Sequence, residues 1–381
     1  MQGVPSMKIM KLLDVCDFRG GTQPPKEEWI NEKREGYVRM LQIRDFTQGD
    51  EKFIQYVLDT KKLRKCTKED LLLSRYGYIG QVVTGLEGAY NVALVKIEKK
   101  IDINREYLMY YFQSEYFNNY LSSNTGARAT IAGFNKSELK SAEIPIPDDK
   151  TQQQIAELLQ HVDKLIKKKT EQIEAMGQLL KARFCEMFAD GGISQTVQEI
   201  CSDIVDCPHS TPTYEGDLKY PAIRTTDIKD GYIDWTQMKY VSESEYRMRI
   251  SRITPEPGDI VYGREGTYGN ATILPEGYQF CLGQRVMLFR PDRSKCIPEY
   301  LLHCLISDDV RRQADAKNVG STVPHVNVAD AKKFSIKLHP LPDQEAFAEF
   351  AKMVNEYKAI AEKALSELEI LKKSLLKKFF G

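Results

Sequence analysis

The sequence predicts an α+β protein with two similar globular α/β heads, two long antiparallel coiled-coil helices and a pseudo-twofold internal repeat. Three observations predict this fold. The chain of 381 residues repeats itself at half its length, each repeat opens with short apolar runs between turn residues, and each closes with a long helical stretch. We therefore expect a first head at 1–150, a first spacer helix at 151–190, a second head at 191–342 and a second spacer helix at 343–381.

The internal repeat has a period of about 190 residues, half the chain. The segment Asp70–Gly80 aligns with Asp259–Gly269, and the Asp, the Arg and both glycines keep the same spacing in the two copies. Further along, Pro145-x-Pro147 aligns with Pro340-x-Pro342, and each pair precedes a Gln and an Ala-Glu pair. These matches predict two copies of one structural unit.

Each head is predicted to combine strands and helices. Gly, Pro and Asp divide the heads into apolar runs of strand length. Longer periodic runs at 105–121 and 298–313 predict one helical stretch in each head.

The long helices are predicted from apolar stripes at alternating steps of three and four residues. A stripe sustained over five heptads is typical of a coiled-coil seam, and two matching seams in one chain are expected to pair. We expect Thr151 and Asp343 to cap the two starts, and Asp190-Gly191-Gly192 to end the first helix. The predicted helix-pairing residues are Ile155, Leu159, Val162, Ile166, Ile173, Met176, Leu180, Phe347, Val354, Leu365, Leu368 and Leu375.

Composition excludes several classes of protein. A hydrophobic fraction of 42% with 10% aromatic residues excludes disorder. No run approaches the ~20 apolar residues of a membrane-spanning helix, and the first residues lack the apolar segment of a signal peptide. The eight cysteines include no C-x-x-C pair, which indicates reduced thiols. We therefore expect a cytoplasmic protein with no metal site and no membrane span.

The order, spacing and duplication of these segments resemble the specificity (S) subunit of Type I restriction-modification systems. The resemblance covers essentially the whole chain and rests on an Asp-x4-Arg-x-Gly-x2-Gly turn in each head and on Pro-x-Pro before each helix. It implies that the heads are target-recognition domains, each reading one half of an asymmetric bipartite site in double-stranded DNA. It further implies that the helices set the spacing and dock two methyltransferase (modification) subunits, and that the assembly recruits restriction motor subunits.

The resemblance also implies a non-catalytic DNA-recognition subunit. The sequence contains no Asn/Asp-Pro-Pro-Tyr/Phe motif of an adenine methyltransferase and no G-x-x-x-x-G-K-[ST] phosphate loop. We therefore expect no cofactor on this chain. S-adenosylmethionine, ATP and Mg²⁺ are expected on the partner subunits, which carry the methylation and cleavage.

The candidate DNA-binding residues lie in two pairs of matched loops and one loop of the second head. Arg75 and Arg264 occupy equivalent turns, where a guanidinium can contact phosphate or read guanine, although a structural ion pair with Asp70 or Asp259 fits equally well. The other candidates carry groups that bind phosphates or base edges, but a solvated turn has the same composition. The full set is Arg75, Tyr76, Tyr78, Gln81, Arg128, Thr130, His209, Arg264, Thr267, Tyr268, Asn270, Ser321, Thr322, His325 and Asn327.

Two other functions stay open. The chain could be a cytoplasmic coiled-coil scaffold that binds proteins rather than DNA. It could also be a nuclease with Mg²⁺ on Asp70 and Asp259, although the sequence lacks the clustered carboxylates and nearby lysine of such a site. The first head has 23 basic and 21 acidic residues and the second 18 and 20, so we predict weak DNA binding by the chain alone and tight binding only with methyltransferase partners.

Overall fold

The computed structural model describes residues 7–49, 51–76, 79–125, 133–215, 218–266, 268–317 and 325–381. The chain divides into two compact units, Met1–Thr170 with Glu362–Gly381 and Glu171–Ala361. Two helices of 40 residues each contribute to both units, which confirms the predicted pair of long helices. Within the described ranges, no helix combines the length and the apolarity needed to cross a bilayer.

The first unit alternates short strands with helices. Its strands are β1 (Lys8–Lys11), β2 (Cys16–Gly20), β3 (Tyr37–Leu41), β4 (Tyr56–Leu58), β5 (Lys65–Cys66), β6 (Leu71–Ser74), β7 (Val82–Val83), β8 (Gly88–Tyr90), β9 (Leu94–Lys99) and β10 (Glu143–Ile146). Its helices are α1 (Leu12–Val15), α2 (Ile43–Thr47), α3 (Arg105–Gln113), α4 (Glu115–Thr125) and the first part of α5 (Asp149–Phe188). The strands form an antiparallel sheet in the order β2-β9-β6-β7, a second sheet in the order β4-β3-β8-β5, and the antiparallel pair β1-β10.

The central sheet of the first unit is covered on both faces. All four residues of β6 are buried, and successive side chains point to opposite faces of a strand. Leu71 and Leu73 lie in one core cluster with α3 and α4, whereas Leu72 lies in a second cluster with Leu41 and Tyr90. The continuous apolar run therefore reflects burial on two sides.

The second unit repeats the central four-stranded sheet and the two-stranded pair of the first, whereas its remaining described strands form two separate two-stranded sheets. Its strands are β11 (Ile193–Thr196), β12 (Cys201–Asp206), β13 (Ala222–Ile223), β14 (Ile228–Lys229), β15 (Tyr232–Ile233), β16 (Ile260–Gly263), β17 (Ala271–Ile273), β18 (Cys281–Leu282), β19 (Val286–Pro291) and β20 (Ser335–Leu338). Its helices are the end of α5, α6 (Val197–Ile200), α7 (Glu243–Arg249), α8 (Pro298–Leu305), α9 (Asp308–Lys317), α10 (Val328–Ala331) and the first part of α11 (Leu341–Phe380). The sheet order β12-β19-β16-β17 matches β2-β9-β6-β7, and β11-β20 matches β1-β10, which confirms the internal repeat.

The helical stretch of each head is two helices rather than the single one predicted. Ser114 lies between α3 and α4, and its hydroxyl accepts a hydrogen bond from the Phe117 amide at 3.2 Å. Ser307 lies between α8 and α9, and its hydroxyl accepts from the Val310 amide at 3.4 Å. A serine therefore caps the second helix of each pair, because its oxygen replaces the missing intrahelical acceptor.

The Pro-x-Pro alignment is displaced by three residues from the structural equivalence. The Tyr107 hydroxyl donates to the Pro145 carbonyl at 2.7 Å, and the Tyr300 hydroxyl donates to the Lys337 carbonyl. Pro145 is therefore equivalent to Lys337, whereas Pro340 lies directly before α11. Prolines recur there because each fits a strand end or the start of a helix.

The caps of the long helices also differ from the prediction. The Asp148 carboxylate, rather than Thr151, accepts at the start of α5, from the Thr151 amide at 2.8 Å. Helix α11 begins at Leu341, ahead of Asp343. The end of α5 is as expected, because the helix stops at Phe188 before two glycines with φ of 83° and 71°.

Candidate nucleic-acid interface

Two equivalent turns carry the arginines that the sequence singled out. Each turn follows an inner strand of its four-stranded sheet, β6 in the first head and β16 in the second. The Arg75 amide donates to the Ala93 carbonyl at 2.7 Å, and the Arg264 amide donates to the Arg285 carbonyl at 2.9 Å. The turns close on glycines at Gly80 and Gly269, whose φ of 84° and 89° disfavours a side chain. The two heads therefore share one backbone frame at this position.

The Arg75 guanidinium binds neutral acceptors. It donates to the Phe134 carbonyl at 2.8 Å and to the Asn135 side chain at 2.6 Å, and it lies 5.3 Å from the centre of the Tyr76 ring. Asp70, the carboxylate considered as its partner, pairs instead with Lys96 at 3.0 Å. In the described part of the chain no carboxylate pairs with Arg75, so its positive charge can act on an approaching anion.

The Arg264 guanidinium is mostly buried in the second head and is already paired there. Its side chain is 12% exposed and forms an ion pair with Asp206, whose side chain is 18% exposed. Asp259, the alternative partner from the sequence, pairs with Arg290 at 2.7 Å. Matched arginines therefore have different surroundings in the two heads, and Arg264 holds its turn in place.

At the positions where the two turns differ in sequence, some side chains are exposed and others form hydrogen bonds within their head. Gln81 is exposed and Tyr76 is half-buried in the first head. In the second head the Tyr268 hydroxyl bonds to Asp315, and the Asn270 side chain donates to the Ile228 carbonyl at 3.3 Å. Two other predicted contacts, Tyr78 and Thr267, lie outside the described residues.

The second predicted loop returns beside the arginine turn in the second head. His325 pairs with Glu265 in an isolated β-bridge, and the Val326 amide donates to the Arg264 carbonyl at 2.8 Å. Asn327 is exposed and precedes α10. In the first head Asn135 has the corresponding place, ahead of a short helical turn, and sequence reasoning missed it. Four predicted residues of these loops, Arg128, Thr130, Ser321 and Thr322, lie outside the described residues.

A third turn in the second head lies near the predicted His209 and contains two residues that sequence reasoning missed, Gln284 and Arg285. His209 is 73% exposed and lies 3.6 Å from Asp206, and the same carboxylate pairs with Arg264. The Gln284 side chain donates to the Thr211 hydroxyl at 2.7 Å, and the neighbouring Arg285 is 63% exposed. The sequence carries no periodicity or spacing that marks Gln284 and Arg285, because the turn is defined by contacts with distant segments.

In the first unit the long helices run antiparallel and pack against the head. Asp163 of α5 pairs with Lys372 of α11 at 2.7 Å, and the Tyr110 hydroxyl donates to Asp163 at 2.8 Å. Leu159 shares a core cluster with Leu376. Among the predicted pairing residues of this unit, those buried are Ile155, Leu159 and Val162, and those partly buried are Ile166, Leu365, Leu368 and Leu375.

In the second unit the same helices pair through aromatic side chains. The Phe184 ring of α5 lies 5.2 Å from the Phe347 ring of α11, and His303 of α8 stacks on Phe184 at 5.5 Å. Burial, and then the charge of Lys181, lower the pKa of His303 to about 4. Of the predicted pairing residues here, Leu180, Phe347 and Val354 are buried, and Ile173 and Met176 are partly buried.

The apolar stripe of α11 drifts by one position along its length. Near the end of the helix the most buried residues are Leu376 and Phe380, at 8% and 3% exposure, whereas the heptad pattern predicts Leu375. An α-helix with 3.6 residues per turn drifts about 20° per heptad from a strict 3.5-residue repeat. Over five heptads that drift amounts to about one residue, as observed.

Both long helices expose apolar side chains at matched positions. Leu165 and Leu371 in the first unit are 42% and 45% exposed, and Leu179 and Tyr357 in the second are 49% and 58% exposed. The structural equivalence of the two units places Leu165 at the same position as Tyr357, and Leu179 at the same position as Leu371. Each unit therefore exposes one apolar residue of each long helix at matched positions.

A family model agrees with this architecture. The model of the Type I restriction modification DNA specificity domain matches residues 6–175 and 211–369. Two specificity subunits of Methanocaldococcus jannaschii are similar in sequence. That of the Type I restriction enzyme MjaVIII is 22% identical over 392 residues, covering 97% of this chain and 91% of that protein. That of MjaIX is 27% identical over 192 residues, covering 48% of this chain and 44% of that protein.

Solved structures share the fold. The S subunit of a Type I restriction-modification system from M. genitalium superposes with a TM-score of 0.57 at 16% identity, and the match covers 100% of this chain and 98% of that one. A chain from a structure concerned with complex assembly and conformational transition of the type I R-M system gives a TM-score of 0.56 at 18% identity, covering 100% and 99%. At these identities the likeness concerns the fold.

Proposed function

Because the chain belongs to the Type I restriction modification DNA specificity family, we propose that it selects the DNA site for a Type I restriction-modification complex. Each head reads one half of an asymmetric bipartite site in double-stranded DNA, and the long helices set the spacing between the halves. The chain acts in the cytoplasm and contributes recognition only.

The observation that carries this proposal is that the two heads share the backbone hydrogen bonds of one turn but differ in the side-chain contacts of that turn. The turns of Arg75 and Arg264 make the same backbone bonds, yet Arg75 keeps its charge uncompensated while Arg264 is neutralised by Asp206. Two readers of different half-sites need one scaffold and two sets of reading groups. A scaffold that binds a single kind of protein has no need of that divergence.

The predicted contact residues fall into two groups within this proposal. Arg264, Tyr268 and Asn270 shape the turn of the second head, since their polar groups are already bonded. The proposed contacts in described segments are Arg75, Tyr76, Gln81, His209, His325 and Asn327. Tyr78, Arg128, Thr130, Thr267, Ser321 and Thr322 stay in the proposed set on their residue types alone.

Two methyltransferase subunits are proposed to dock on the long helices. The exposed pair Leu165 and Leu371 in the first unit, and the equivalent pair Tyr357 and Leu179 in the second, support two similar docking surfaces. An apolar centre within charged surroundings is typical of a protein interface. Restriction motor subunits would then join the assembled complex.

The chemistry is proposed to reside on the partners, which would bind S-adenosylmethionine, ATP and Mg²⁺. Asp70 and Asp259, the carboxylates that a self-contained nuclease would use, are each paired with a cation, Lys96 at 3.0 Å and Arg290 at 2.7 Å. Carboxylates that are neutralised in this way make poor ligands for a divalent ion.

Mapping of methyladenine in host DNA, with and without this chain, tests the proposal. We expect one bipartite asymmetric motif that disappears when the chain is deleted. An unchanged methylation pattern, together with capture of proteins but not DNA by the purified chain, would instead favour the scaffold function. A second measurement is an electrophoretic shift, where we expect weak binding by the lone chain and tight binding after methyltransferase is added, because the charges of each head nearly cancel.

A further inference from the structure

Arg285 has an unusual backbone conformation. Among the described residues it is the one non-glycine residue with a positive φ, at 61°. A long side chain in the left-handed region is strained and persists only where the surrounding structure imposes it. The residue lies in the turn between β18 and β19 of the second head. Its equivalent in the first head, Ala93, does not have a positive φ.

Buried polar groups hold this turn in place. The Arg285 carbonyl accepts from the Arg264 amide at 2.9 Å and from the hydroxyl of Thr225, which is 5% exposed. Beneath the turn, the fully buried Arg249 guanidinium donates to the carbonyls of Leu282 and Gly283 at 3.0 and 3.2 Å. The strain is therefore supported by the core of the head.

The side chain gains nothing from burial to offset that strain. It is 63% exposed, and its Nε lies 3.2 Å from the Glu265 carboxylate. Glycine or asparagine would satisfy the same backbone at lower cost. An arginine at this position is therefore explained by what its guanidinium does at the surface.

We propose that Arg285 is a specificity-determining residue of the second head and reads a guanine in its half-site. This inference rests on the proposed function. The Glu265 carboxylate lies beside Nε of Arg285, and an arginine has five donors in a rigid fork, so its terminal nitrogens can match guanine O6 and N7. The adjacent carboxylate repels a phosphate group, which disfavours backbone contact as the role of this arginine.

At this turn the second head carries groups suited to base reading, and the equivalent positions of the first head do not. Gln284, beside Arg285, carries an amide that can pair with adenine, and its side chain is held by Thr211 at 2.7 Å. The equivalent positions in the first head are Val92 and Ala93, which have no polar side-chain atom. The two heads therefore differ in reading chemistry at one matched turn.

The test compares methylation motifs of the full complex, assembled from this chain and its methyltransferase subunits. Arg285→Gly removes the guanidinium and also relieves the left-handed strain, so the variant is expected to melt at or above the wild-type temperature. We expect it to relax one guanine position of one half-site by at least about tenfold, with the other half-site unchanged. Arg285→Lys keeps the charge without the fork and is expected to relax the same position.

Arg293→Ala is the matched control, because Arg293 is an exposed arginine beyond the opposite end of the same strand. It is expected to leave the motif unchanged. Retention of the guanine in the motif of Arg285→Gly, or weaker methylation of every sequence equally, would overturn the inference while leaving the proposed function intact. A wild-type complex that yields no bipartite motif would overturn both.

Discussion

Gln152 and Gln344 hold equivalent positions and share two hydrogen bonds, and Gln344 also donates to the Lys295 carbonyl at 3.1 Å. Each side-chain oxygen accepts from a backbone amide at the start of a head helix, Asn104 at 2.9 Å and Ile297 at 2.9 Å. Each side-chain nitrogen donates to the carbonyl that ends the last strand, Pro147 at 2.9 Å and His339 at 2.7 Å. Both glutamines are buried, at 2% and 0% exposure. The first turn of each long helix is therefore tied to its head by one amide.

Gln152→Ala and Gln344→Ala are each expected to lower the free energy of unfolding by about 1–3 kcal/mol, because truncation leaves a buried amide and a buried carbonyl unpaired. Urea denaturation of the purified chain measures the loss. Gln178→Ala, at an exposed position in the second half of α5, is the control and should change stability by less than about 0.5 kcal/mol. Equal effects at Gln152 and Gln178 would show that the amide contributes nothing as a tie.

The Arg264–Asp206 ion pair is expected to stabilise the second head. Arg264→Met leaves the partly buried Asp206 without its arginine partner, which costs about 1–3 kcal/mol. The double variant Arg264→Met/Asp206→Leu removes both charges and should recover most of the loss. A double-mutant cycle by chemical denaturation measures this coupling, and strictly additive losses would contradict it.

The sequence predicts those features of the fold that arise from local patterns. The repeat is visible because the spacing within Asp70–Gly80 recurs, and the long helices are visible because their stripes persist over many turns. The partner of Arg264 is not predictable, because Asp206 lies 58 residues away along the chain and meets it only across the folded sheet. The left-handed backbone of Arg285 likewise depends on contacts with Thr225 and Arg264 rather than on its neighbours in sequence.

A charge on the exposed apolar pair of the first unit is expected to weaken methyltransferase docking. Leu165→Glu/Leu371→Glu places two carboxylates on the proposed interface, where burying an unpaired charge is unfavourable. Pull-down and size-exclusion chromatography should show loss of one of the two methyltransferase subunits, with the melting temperature of the lone chain unchanged.

Thr170→Glu/Ser366→Glu is the control for that variant. Each position lies five residues along the same helix and on a different face, and both side chains are exposed. The control complex should keep two methyltransferase subunits. Loss of a subunit in both double variants would mean that added charge, rather than the position of Leu165 and Leu371, determines the outcome.

His303 is expected to make the second unit sensitive to acid. Its pKa, lowered to about 4 by burial, lies below the ordinary value of 6.5. Above that ordinary value both folded and unfolded chains hold the neutral ring, and its contribution to stability is complete. As the pH falls from 6.5 towards 4, the unfolded chain binds a proton that the folded chain does not, so the free energy of unfolding decreases.

The variant His303→Phe keeps an aromatic ring between Phe184 and Phe347 and should flatten that pH dependence, as measured by denaturation at pH 7 and pH 4.5. His209→Asn, which alters a histidine that is 73% exposed, is the control and should leave the pH dependence as in the wild type. An unchanged slope in His303→Phe would assign the acid sensitivity to other groups.

Shortening both long helices together is expected to change the gap of the DNA site. Residues 167–173 and 362–368 lie between the Asp163–Lys372 contact of the first unit and the Phe184–Phe347 contact of the second, so removing both heptads keeps each contact and the phase of each stripe. Seven residues are about 10.5 Å of helix, which is about three base pairs.

Methylation mapping of the double-deletion complex should therefore report a shorter gap with both half-motifs unaltered. Shortening the gap by three base pairs also rotates one half-site about the DNA axis by about a hundred degrees relative to the other. A complex whose heads cannot adopt that relative rotation loses methylation altogether. Deleting only 167–173 breaks the register of the pair and should destabilise the chain, which separates a spacing effect from a folding defect. Methylation at the original gap, or an altered half-motif, would show that the helices do not set the distance.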